Sequence, residues 1–256
     1  MIELSQADIP RLYWGTGSPV IEDVQWKIEA GDFWAVGAMP GSGKTGLLYT
    51  AAGLQRPIKG KQLMFGKVVR EMSEEELVEK RLKIGMVFDS GRLFAEMTIA
   101  ENLALPLAYH FHLASEKRTE AINKVLAVIG LSDLANEKPS QITRNLHQRA
   151  GLARALVLNP DVLLIDNPLL SVDPRQARWW LDFLCQLNKG TTKLRSEPIT
   201  IAVATDDLRP WRDTAQQFAF IQGKKLRIVG GRENLRQNAD PAVRELLTPG
   251  FEGGYP

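Results

Sequence analysis

Residues 33–48 read FWAVGAMPGSGKTGLL: an apolar, β-rich run, a glycine-rich turn, then Lys44-Thr45 and the start of a helical pattern. A strand that runs into such a turn and opens a helix is the setting of a phosphate-binding loop. Gly41 and Gly43, with Ser42 between them, let the backbone curl so that successive N–H groups face inward, and the helix from Lys44 adds the positive end of its dipole. Lys44 supplies a mobile charge for the second and third phosphates of a nucleotide, and the Thr45 hydroxyl is a ligand for Mg²⁺. One position departs from the strict motif: Ala38 stands where the first glycine belongs, with Gly37 beside it. Alanine takes a positive φ only at a cost, so a slightly altered loop is expected.

Around this loop, short apolar runs alternate with helical patterns: Ile84 to Phe88, Val162 to Ile165 and Ile199 to Val203 all read as strands. Continuous apolar strands separated by helices predict an α/β fold with a parallel sheet covered on both faces. Residues Ile21 to Ile28 alternate apolar and polar, and Gln217 to Val229 reads as a hairpin turning at Gly223, so antiparallel strands are expected to flank that sheet. Between Met97 and Leu158 the patterns are helical, which predicts an inserted helical subdomain over about 97–158. The ending TPGFEGGYP has no periodicity; residues 245–256 are expected to form a flexible tail behind a domain spanning 1–244.

The chain of 256 residues has 32 Lys plus Arg against 30 Asp plus Glu, a balance that gives no basic field for nucleic acid or an anionic membrane. A single cysteine, Cys185, has no intramolecular partner and fits a reducing compartment. The opening MIELSQADIP shows neither the basic nor the apolar region of a secretory signal, and no apolar run approaches the roughly 18 residues of a membrane span. Any membrane role is therefore expected to pass through a partner.

A second apolar strand ending in an acid, DVLLID at 161–166, supplies Asp166 as a candidate for holding the water shell of Mg²⁺. The order of these elements resembles the nucleotide-binding domain of ABC transporters over about residues 1–230, a P-loop NTPase core. Residues 85–107 (GMVFDSGRLFAEMTIAENLALPL), residues 147–168 (HQRAGLARALVLNPDVLLIDNP) and the ending NADPAVRELL look most like the ATPase subunit of Mla/Mce-type lipid transporters. The resemblance implies ATP and Mg²⁺ as ligands, a cytoplasmic position on the inner membrane, transmembrane permease subunits as partners, and a second nucleotide-binding domain, either an identical copy or a paralogue. It implies that Trp14 or Tyr13 stacks on adenine and that residues 94–109 receive the membrane subunit.

Several positions that the resemblance implies for catalysis are altered. Asp89 stands at the Q-loop glutamine, Thr143-Arg144-Asn145 within the signature, Asn167 at the catalytic glutamate after Asp166, and Thr205 at the switch histidine, while Asp173 keeps the acid of the D-loop. An Asn167 amide has no carboxylate to accept a proton, and general-base help is worth roughly 10²–10⁴ in rate. Asp89 is expected to keep its role, because a carboxylate can ligate Mg²⁺ at least as well as an amide oxygen. Arg144 and Asn145 bring side chains where glycines let a phosphate approach, and Arg144 reads either as a block or as a replacement charge. His110, His112 and His147 are the only histidines, and none follows the strand from Ile199.

Three functions follow. One is an ATP-binding transporter subunit with weak or absent hydrolysis, in which nucleotide acts as an adhesive between domains. Another is an active transport ATPase whose losses are compensated by Asp173, Asp206 or Asp207. A cytosolic kinase or GTPase is disfavoured for want of an acceptor lid or a guanine-reading motif.

Overall fold

The computed structural model describes residues 1–12, 18–111, 114–238 and 240–247. Its centre is a six-stranded sheet of β3 (Phe33–Ala38), β6 (Ile84–Val87), β7 (Val162–Asp166), β8 (Thr200–Thr205), β9 (Gln217–Gln222) and β10 (Lys225–Gly230), in the order β10-β9-β3-β8-β7-β6. Every pairing is parallel except that of β10 with β9. All residues of β3, β7 and β8 are buried, which their unbroken apolar runs require of strands covered on both faces. Successive side chains feed opposite faces: Phe33 and Ala35 join one core, Trp34, Val36 and Ala38 the other.

The second core lies under a four-stranded antiparallel sheet of β1 (Ile2–Pro10), β2 (Pro19–Ile28), β4 (Lys61–Met64) and β5 (Lys67–Val68), in the order β2-β1-β4-β5. The helix α1 (Lys44–Ala51) buries Leu47, Leu48 and Ala51 in the same core. Strand β9, expected only as half of a hairpin, also pairs in parallel with β3 and so belongs to the main sheet.

A short helix α2 (Glu74–Leu82) precedes β6. Between β6 and β7 run α3 (Ile99–His110), α4 (Ser115–Ile129) and α5 (Arg144–Leu156), which share the first core through Leu103, Leu107, Leu126 and Ala153. A capping box between Thr98 and Glu101 starts α3, and Gly130 in the left-handed region ends α4. After β7, α6 (Pro174–Lys189) starts on an Asp173 cap and buries Trp180 completely, while Trp179 stacks on Phe183 and carries the Arg149 guanidinium 3.8 Å above its ring. Both tryptophans thus act in packing.

Two helices follow β10, α7 (Arg232–Gln237) and α8 (Pro241–Leu247). Burial of Val243 and Leu246 holds α8, so residues 245–247 are helix rather than the start of a loose tail; residues 248–256 lie outside the described part. Among the described residues no helix is long and apolar enough to cross a membrane.

Candidate functional site

The carboxyl ends of β3, β7 and β8 converge, and in open α/β sheets that edge is where ligands bind. Pro40, Gly41 and Gly43 of the loop after β3 close a cavity of about 400 Å³ lined by Lys44, Thr45, Asp89, Asp166, Asn167 and Asp206. Gly41 and Gly43 have φ of 77° and 98°, the left-handed region that favours glycine. A Cβ at Gly43 would lie 2.8 Å from Val20 Cγ2, whereas one at Gly41 would meet open space. Ala38 keeps the extended backbone of β3, so the alanine strains nothing and the expected alteration of the loop has no cause there.

Lys44 is 8 % exposed, and its ammonium donates to the carbonyls of Ala38 (2.9 Å) and Met39 (3.4 Å) and to Asp206 Oδ1. The Thr45 hydroxyl donates to Asp166 Oδ2 at 2.6 Å, which brings two of the three predicted metal ligands together at the cavity floor. Burial holds the Asp166 carboxyl above the usual carboxylate range against the Thr45 hydrogen bond, and the charges of Asp89 and Asp206 push the same way. Asp89 is exposed at the cavity wall. The Ser42 hydroxyl is buried without a partner.

Asn167 and Asp206 join across the ends of β7 and β8. The Asn167 amide donates to Asp206 Oδ2 at 2.7 Å, and the Asp206 N–H donates to Asn167 Oδ1 at 3.2 Å. Thr205 does not enter the cavity. Its hydroxyl donates to the Asp207 carbonyl at 3.0 Å and accepts from Trp211 Nε1 at 3.3 Å, facing the core. The residue that reaches the phosphate side after β8 is Asp206, so the assignment of Thr205 to the switch position is corrected by one residue: 205 continues the inward face of Ile201 and Val203.

The remaining predicted residues lie elsewhere. Thr143 caps α5 without a side-chain hydrogen bond, with Arg144 and Asn145 in its first turn, and none of the three lines the cavity. Asp173 accepts from the N–H groups of Arg175 (2.9 Å) and Gln176 (3.0 Å), which makes it the cap of α6. Trp14 and Tyr13 fall outside the described residues. Sequence reading missed Gln148, whose buried amide donates to the Asp166 carbonyl at 2.9 Å and to the Phe88 carbonyl at 3.4 Å, tying α5 to the ends of β7 and β6. Its only signal was a polar residue on the otherwise apolar face Ala150, Leu152, Ala153.

With this geometry the sequence pattern of the ABC transporter family coincides, matching residues 21–170. The chain belongs to the ABC transporter family. Among curated relatives of this cassette, the probable ribonucleotide transport ATP-binding protein mkl of Mycobacterium tuberculosis is 31% identical over 90% of the chain. The methionine import ATP-binding protein MetN of Clostridium acetobutylicum is 28% identical over 91%. The intermembrane phospholipid transport system ATP-binding protein MlaF of Escherichia coli is 28% identical over 93%. The chain spans 62% of the length of mkl, 70% of MetN and 86% of MlaF. A solved ABC cassette, MJ0796, dimeric in a post-hydrolysis state with ADP and Pi, superposes with a TM-score of 0.78 at 26% identity, covering 88% of this chain and 96% of that one.

The cassette has a second concavity, about 550 Å³, between β6, α3 and α5, lined by Met86, Phe88, Phe94, Leu105, Tyr109 and Leu158 among others. Tyr109 is 80 % exposed and Phe94 54 %, so the rim is apolar and open to solvent. Beneath it Arg154 donates 2.8 Å hydrogen bonds to the carbonyls of Gly91 and Arg92, fixing the segment that leaves β6.

Proposed function

We propose that this chain is the nucleotide-binding subunit of a membrane ABC transporter that binds Mg-ATP and hydrolyses it weakly or not at all. The carrying observation is the state of Asn167 and Asp206. Asn167 offers an amide where a carboxylate would take the proton of attacking water, and the carboxylate beside it has one oxygen on Lys44 and the other on that amide. Without general-base help the rate falls by roughly 10²–10⁴.

Nucleotide suits the cradle: Gly41 and Gly43 line the cavity with open space at Gly41, and Lys44 stands at the mouth of the helix that follows the loop. Mg²⁺ suits Thr45, Asp166 and Asp89, which supply hard oxygen ligands, and when bound it would neutralise phosphate charge.

Partner subunits in the membrane are supported by the apolar groove under Tyr109, a cytoplasmic position by that docking, and pairing with a second nucleotide-binding domain by the dimeric cassette it superposes on. Lipid is the cargo we favour, on the similarity to MlaF over most of both chains; the names of mkl and MetN point to other cargoes, and transport assays of the native complex decide between them. Phosphate release by the purified chain and by its complex tests the central reading, which brisk hydrolysis at neutral pH overturns. The alternative, an active transport ATPase, draws on one observation, the Asp206 carboxylate inside the cavity.

A further inference from the structure

A protonated lysine has three N–H donors, and Lys44 directs them at the Ala38 carbonyl, the Met39 carbonyl and Asp206. A P-loop lysine reaches the second and third phosphates of a nucleotide, so a protein carboxylate sits on the group that a terminal phosphate needs. Asp206 is also tied to Asn167, its backbone N–H donating to Asn167 Oδ1 and its carboxylate accepting from the Asn167 amide, so the carboxylate turns away from the cavity only by giving up the second of these bonds as well as Lys44. The opposite half of the cradle is the glycine turn, where Gly41 and Gly43 line the cavity and a Cβ at Gly41 would meet open space. One half therefore awaits an anion, and the other already contains one.

We propose that Asp206 sets the choice between nucleoside triphosphate and diphosphate at this site, cancelling the advantage a third phosphate has in a P-loop. The inference rests on the nucleotide-binding reading above. A diphosphate fills the glycine-turn half and leaves the Lys44–Asp206 pair in place. A triphosphate brings its most highly charged group against the Asp206 carboxylate in a partly buried site, where like charges repel far more than in bulk water. Lys44 then exchanges one anion for another, with little net gain. Occupancy of the site follows the sum of the two nucleotides in the cell rather than their ratio.

The test is calorimetric titration of the full chain with Mg-ATP and with Mg-ADP, in the wild type, in Asp206→Asn and in Asp207→Asn. Asparagine at 206 keeps an acceptor for the Asn167 amide and removes the charge; Asp207 is adjacent but pairs with Arg209 instead. The wild type is expected to bind both nucleotides within about threefold, and Asp206→Asn to tighten Mg-ATP about tenfold or more while moving Mg-ADP less than about threefold. Asp207→Asn leaves the ratio unchanged. A wild type that prefers Mg-ATP by about tenfold overturns the inference even if no variant folds, and so does a ratio that Asp206→Asn fails to move or Asp207→Asn moves equally. If neither nucleotide binds wild type or variants, the nucleotide reading falls and this inference with it.

Discussion

Asn167 and Asp206 hold each other across the ends of two neighbouring parallel strands by two hydrogen bonds, one of 2.7 Å from the Asn167 amide to the Asp206 carboxylate and one of 3.2 Å from the Asp206 backbone N–H to Asn167 Oδ1. Asn167 has a φ of 52°, a left-handed conformation that asparagine accepts more readily than glutamate. Restoring a glutamate alone sets two carboxylates face to face, so Asn167→Glu is expected to lower the melting temperature and leave turnover unchanged. Asn167→Glu combined with Asp206→His removes the repulsion, and the rate of phosphate release from Mg-ATP should rise about 10²-fold or more.

Burial raises the pKa of Asp166, and the sign of its effect on stability follows. The folded chain holds this proton to higher pH than the unfolded chain does, so stability is lost as pH rises from the ordinary aspartate value near about 4 through the raised one. In the absence of Mg²⁺ and nucleotide, the melting temperature of the wild type should fall relative to Asp166→Asn over that range, leaving the variant a few degrees more stable at neutral pH. Melting curves in a pH series, with chelator present, measure the difference.

Gly91 has a φ of 72°, and a Cβ there would collide with the carbonyl oxygen of His147 and lie 2.6 Å from its carbon. Two independent penalties meet at one position. Gly91→Ala is expected to cost about 2 kcal/mol or more in urea unfolding. Gly41→Ala, with the same backbone sign but open space, should cost only about 1 kcal/mol.

Tyr109 contributes an exposed aromatic edge to the groove between β6, α3 and α5 and lies outside the phosphate cavity. Tyr109→Asp should abolish co-purification with membrane subunits while changing the affinity for Mg-ATP less than about twofold. Co-purification that survives both this change and Phe94→Asp would place the membrane contact elsewhere.

The central sheet was legible because β3, β7 and β8 are unbroken apolar runs next to a glycine-rich turn. Strand β1 was not: Ser5, Gln6 and Asp8 interrupt its pattern, Gln6 sits at a φ of 50°, and its register with β2 shifts at irregular positions. Among site residues, those fixed by the loop and by Asp166 could be read directly. The switch position could not, because β8 alternates faces, and a count one residue short exchanges a core hydroxyl for a cavity carboxylate. Asp173 reads in sequence as the acid of the D-loop, and the structure shows its carboxylate capping α6.

Gln148 gives one amide to the carbonyl that follows the Asp166 side chain and to the carbonyl that precedes Asp89. Those two acids line one cavity, and a side chain rooted in a third element ties the backbone beside both of them. Sliding α5 along its axis by the length of a single hydrogen bond would release both strand tips at once. One side chain thus joins the start of α5 to the ends of both β6 and β7.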